Sequence, residues 1–137
     1  MIKSARVFLV FAAVVQGYAA VFALAAPHGF YTDFPVPGAH WVSSLAPYNE
    51  HLVRDYGAAF LALSVLAALA AYYGERRLIL VTLIVWLVSA VPHTLFHFFH
   101  TDAPGGFSGF VSLATLALNV VVPLVLLFQI RKEPATP

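Results

Sequence analysis

The chain has 137 residues, 61% of them hydrophobic and 9% charged, with a mean hydropathy of +0.87 and a formal net charge of +1. These values lie far from those of water-soluble domains and point to an integral membrane protein organised as one transmembrane domain, residues 1–137. Cysteine is absent, which excludes disulfides, zinc ribbons, thiolate catalysis and iron–sulfur ligation and leaves imidazole and carboxylate for any metal chemistry.

A bilayer-crossing helix needs roughly 20 mostly apolar residues. Four stretches meet that requirement, at residues 5–26, 51–73, 78–99 and 107–130, and together they predict an all-α, four-helix up-down bundle. The first stretch opens with Lys3 and Arg6 and ends near Ala23-Leu24-Ala25, the layout of a secretory signal with a cleavage site. Its apolar run is long for a signal and Gln16 interrupts it, so the expectation is a retained membrane span.

Residues 27–50 form a 24-residue connector. Pro35, Pro37 and Pro47 stiffen it, while Phe30, Tyr31, Phe34, Trp41 and Tyr48 favour the headgroup region. This composition predicts a capping loop laid over the bundle, with a helical turn around residues 39–45.

The second span opens on Asn49, a natural N-cap, followed by Glu50, which complements the positive end of the helix dipole. Asp55 lies roughly 9 Å further along the axis, beyond the reach of capping. His51 shares its face, whereas the adjacent Arg54 points about 100° away. Ala58 and Ala62 continue the same stripe, and small residues at that spacing predict a seam with a neighbouring helix.

The third span carries Pro92, which deprives the Val88 carbonyl of its helical hydrogen bond and predicts a kink. His93, His97 and His100 follow it on one helical stripe. If the second and third spans fold back at residues 74–76, His51 comes level with His97 and Asp55 with His93, because equal numbers of residues separate each from the turn. The fourth span has a polar stripe of Ser108, Ser112, Thr115 and Asn119 that should face protein. Asn119 reaches the depth of Gln16, which predicts a hydrogen bond joining the first and fourth spans.

Lys3, Arg6, Arg76, Arg77, Arg131 and Lys132 fall at the two ends of the chain or in the connector at residues 74–77. The positive-inside tendency therefore puts both termini and that connector on the cytoplasmic side of the cell (inner or plasma) membrane. All six histidines then lie at or just beneath the outward end, with Asp33, Glu50, Asp55 and Asp102.

Ionisable groups within a span are functional-site candidates by default. The outward set predicts a transition-metal site for copper, zinc or iron, with His51, Asp55, His93 and His97 as ligands and His100 as an outer ligand or entry point, serving redox or metal-dependent chemistry. A second possibility is b-type haem held axially by His51 and His97, with Phe96, Phe98 and Phe99 packed on the macrocycle. A third is a hydrogen-bonded network in a non-catalytic accessory subunit of a larger membrane complex. The implied partners are the lipid bilayer and further membrane subunits, either copies of the chain or components of a larger complex. No nucleotide loop, catalytic nucleophile or basic nucleic-acid patch is found, and the neutral Gln16 and Asn119 make proton-driven transport a weak reading.

Arg6 opens an apolar first helix bearing Gly17, and the second helix begins Asn49-Glu50-His51-Leu52-Val53-Arg54-Asp55-Tyr56-Gly57. Over its whole length this layout resembles the small four-helix membrane proteins of high-GC bacteria grouped as DoxX-like. The resemblance implies a quinone-linked or redox-accessory role in a membrane complex. The His93/His97/His100 run lies outside it.

Overall fold

The structure is a computed structural model that describes residues 1–100 and 106–132. The described residues are helical except for the connectors, in the order α1 (Ile2–Ala25), α2 (Pro27–Asp33), α3 (Glu50–Tyr73), α4 (Arg76–Phe99) and α5 (Gly106–Lys132). α1, α3, α4 and α5 are each long and apolar enough to cross a membrane. Asn49 caps α3 as its sequence position predicts, its side chain accepting from the Leu52 N–H at 3.2 Å. α4 and α5 continue through Pro92 and Pro123 as single helices.

α2 lies within the connector that the composition predicts as a capping loop with one helical turn further on. Pro27 stands at its first turn, where a fixed φ suits the helix and the missing N–H costs nothing. The expected turn further on is present, with the Ser44 N–H on the His40 carbonyl and the Leu45 N–H on that of Val42, each at 3.2 Å.

α1 packs chiefly on α3 and α4 chiefly on α5, while α3 and α4 touch much less. Residues early in α1 meet residues late in α3: the Arg6 Nε–H donates to the Ala71 carbonyl at 2.7 Å. At the other end the Arg54 guanidinium donates to the Leu24 carbonyl at 2.8 Å. α4 and α5 are tied in the same opposed order, by Arg76 to the Ile130 carbonyl at 2.9 Å and by Thr94 Oγ1 to that of Leu116 at 3.2 Å.

Among the described residues, two clusters make up the interior. One, near the α3–α4 connector, joins Ala5, Leu9 and Ala12 to Ala67, Ala70, Ala71, Ile79, Leu83, Trp86, Leu126, Leu127 and Ile130. Phe8 meets the Trp86 ring edge-on at 6.1 Å. The other lies under the cap and is formed by Ala19, Ala23, Phe30 and Val53, with Phe22, Phe34 and Tyr56 against them.

The seam of α3 is not the one its polar stripe suggested. Ala58 and Ala62 are exposed, whereas Gly57, Ser64, Ala67, Ala70 and Ala71 are buried. Helices in lipid associate through close packing and interhelical hydrogen bonds, so the face with the smallest residues and a usable hydroxyl is the one that meets a neighbour. Gly57 permits the closest approach, and Ser64 Oγ donates across the seam to the Ala13 carbonyl at 2.6 Å. The expected Gln16–Asn119 bond also fails to form. Gln16 Nε2 donates to Tyr56 Oη at 3.3 Å, on the packed α1–α3 side, and Asn119 turns back to the Thr115 carbonyl of its own helix at 3.0 Å.

A Cβ at Gly57 would stand 2.8 Å from Leu24 Cγ, 3.1 Å from the Ala20 carbonyl oxygen and 3.2 Å from Ala23 Cβ. Gly57→Val should therefore lower stability by about 1–3 kcal/mol through overpacking, while Ala58→Val, one residue away on the exposed face, should change it little. Unfolding in mixed micelles, followed by circular dichroism, measures both.

Candidate functional site

The histidines and carboxylates of the capped end divide into separate pairs. On α3, His51 Nε2 lies 3.3 Å from Asp55 Oδ2, with both side chains largely exposed at 82% and 63%. Beside them, the Arg54 guanidinium spans to Glu50 Oε1 at 2.8 and 2.9 Å, so Arg54 serves Glu50 and the Leu24 carbonyl, not its neighbour Asp55. On α4, the His93 and His97 rings stand one turn apart with centres 4.8 Å from each other. His100 is turned elsewhere: its Nδ1 bonds the Phe96 carbonyl at 2.9 Å and its ring stacks on that of Phe96 at 4.2 Å.

The two remaining histidines belong to the cap. His28 meets the Tyr48 ring edge-on at 5.2 Å. His40, in a left-handed conformation at φ 56°, places Nδ1 2.6 Å from the Thr32 carbonyl oxygen. Asp102 lies outside the described residues.

Among the described residues, no three histidine, aspartate or glutamate side chains come together as a group able to hold a metal ion. The expected ligand set of His51, Asp55, His93, His97 and His100 is thus not gathered into one site. Counting back from a hairpin turn fixes depth but says nothing about rotation around each helix axis. α3 spends its packing face on α1, and its His51/Asp55/Ala58/Ala62 stripe looks away from that seam.

α4 behaves differently. At about 100° per residue, His93 and His97 fall on the same stripe as Ile79, Leu83 and Trp86, which are buried in the interior at the opposite end of the helix. The stripe that is core near the α3–α4 connector becomes polar toward the other end of α4, where His93 is exposed and His97 half-buried.

Aromatic side chains hold the cap down by their polar ends. Tyr18 Oη donates to the Pro35 carbonyl and Tyr31 Oη to that of Ala46, both at 2.8 Å. Trp41 Nε1–H donates to Ser108 Oγ at 2.8 Å, bringing the cap to the start of α5. Phe30 packs on Tyr56 with ring centres 5.4 Å apart, fixing α2 to α3. Trp41 and Tyr56 act here as structural anchors, and the sequence signal for them was the pairing of a large apolar ring with a polar tip. An open apolar groove of about 570 Å³ runs along α1 past Val14, Gly17, Tyr18, Val21, Phe22 and Ala25. It has no ionisable group other than the Tyr18 hydroxyl, already donated to Pro35.

Asp33 closes the cap locally. The Thr32 hydroxyl donates to Oδ2 at 2.7 Å and the Gly38 N–H to Oδ1 at 3.4 Å, and these bonds hold its carboxyl below the usual aspartate range. A depressed folded-state pKa adds stability that is complete above the unfolded value of about 3.9 and is lost as pH falls through the lower folded value. Acidification below about pH 4 should loosen the cap, seen as a change in Trp41 fluorescence in a Trp86→Phe background. Asp33→Asn should abolish that transition.

The chain matches no protein-family model, no curated protein and no solved structure.

Proposed function

We propose that the chain is a non-catalytic, multi-pass subunit of a larger membrane assembly, set against a transmembrane helix of another subunit through the outer half of α3. The observation that carries this reading is the His51–Asp55 pair on a face of α3 that is exposed among the described residues. Ionisable groups at a membrane-facing position are costly unless another polar group or protein meets them. Ala58 and Ala62 continue that face inward and would let a partner helix approach closely.

The sidedness proposed is the one implied by the basic residues, with both termini and the α3–α4 connector cytoplasmic and the cap outside. The DoxX-like layout supports an accessory role in a redox-linked complex. A catalytic metal centre drawing on α3 and α4 together has less support, since its ligands stand in separate pairs.

The test is native electrophoresis of gently solubilised membranes from the producing cell. The wild-type chain should migrate in an assembly much larger than its own 14.8 kDa, and Asp55→Ala should release it with its helix content unchanged by circular dichroism. A wild-type chain that runs alone, or an assembly indifferent to Asp55→Ala, would contradict the proposal.

A further inference from the structure

Beyond the proposed assembly role, we infer that His93 and His97 form a two-imidazole site for an exchangeable divalent transition-metal ion of borderline softness, such as Zn2+, Cu2+ or Ni2+. Residues four apart on a helix share a face, and paired imidazoles at that spacing are an established way to present two ligands to one ion. An ion bonded at about 2.0–2.1 Å to each ring needs the two nitrogens roughly 3–4 Å apart. Ring centres separated by 4.8 Å allow that with small rotations about the side-chain bonds.

Two observations favour this pair over His51, His40 and His100. Neither His93 nor His97 makes a hydrogen bond to any described residue, so their nitrogens are not already committed. His51 is engaged with Asp55, His40 with the Thr32 carbonyl and His100 with the Phe96 carbonyl. The pair also lies on the stripe that forms the interior further down α4, about 10 Å or less below the outward end of the helix. An ion there is reached from the outer surface and shielded on one side by the bundle.

Two protein ligands leave a tetrahedral ion with two open positions. Such an ion exchanges readily, unlike one enclosed by four side chains. Because the imidazoles bind only when neutral, protons compete with the metal and binding weakens as pH falls.

The chain, purified without a histidine tag and placed in nanodiscs of zwitterionic lipid, is titrated with Cu2+ at neutral pH and followed by electron paramagnetic resonance. The expected result is saturable binding with nitrogen hyperfine structure from two imidazoles. His93→Gln and His97→Gln should each abolish it, while His51→Gln and His100→Gln should retain it, all four keeping the wild-type helix content. Absence of saturable binding in the wild type, or its survival in His93→Gln and His97→Gln, would overturn the inference. Loss in His51→Gln would also overturn it, by showing that the ion draws on α3.

Discussion

The contact on which the capped end depends is the approach of α1 to α3 through residues too small to keep them apart. Gly57 lies so close to Leu24, Ala20 and Ala23 that a side chain there has no room. Ser64 answers it two turns below with a hydroxyl bond to the Ala13 carbonyl. In lipid, hydrophobicity does not favour one helix pairing over another, because the tails are as apolar as the side chains. Shape and hydrogen bonds decide, and the Gly57–Ser64 face supplies both. With that face committed, the rotation of α3 is fixed and His51 and Asp55 are carried to the side away from α1.

A second regularity concerns the helix ends. The last carbonyls of a helix lack intrahelical partners and sit at the negative end of its dipole, so they attract cationic donors. Arg54 serves the end of α1, Arg6 the end of α3 and Arg76 the end of α5, each from a different helix. The end of α4 receives the His100 ring from its own last turn. Two of the six basic residues that the topology rule reads as a signal of sidedness, Arg6 and Arg76, are therefore also joinery. Arg54, the basic residue that stands apart from the other six, has its own task in holding α1 to α3 at the capped end.

The spans were legible because twenty apolar residues between charged or proline-rich breaks admit few other readings, and the structure places four long helices over those stretches. The Asn49 cap and the shared face of His51 and Asp55 were legible for the same reason, being local consequences of helix geometry. What failed was rotation. Depth placed Gln16 beside Asn119 and His51 beside His97, yet helices at one depth can present any of their faces. α3 carries alanines on several sides, so Ala58 and Ala62 looked as good a seam as Gly57 and Ser64 until packing chose between them. α2 was hidden by its prolines and aromatics, a composition shared by caps and short helices, with Pro27 as the clue that a helix starts there.

The absence of cysteine makes the central claim directly testable by pairwise cysteine substitution. A Cβ built on Gly17 falls 4.0 Å from Ser64 Cβ, within the span a disulfide bridges. In membranes, the Gly17→Cys/Ser64→Cys chain should oxidise readily to an intramolecular disulfide, while His51→Cys/His97→Cys should stay reduced under the same conditions. Rapid oxidation of the second pair, with none in the first, would show that α3 turns its histidine face toward α4 and would contradict this account.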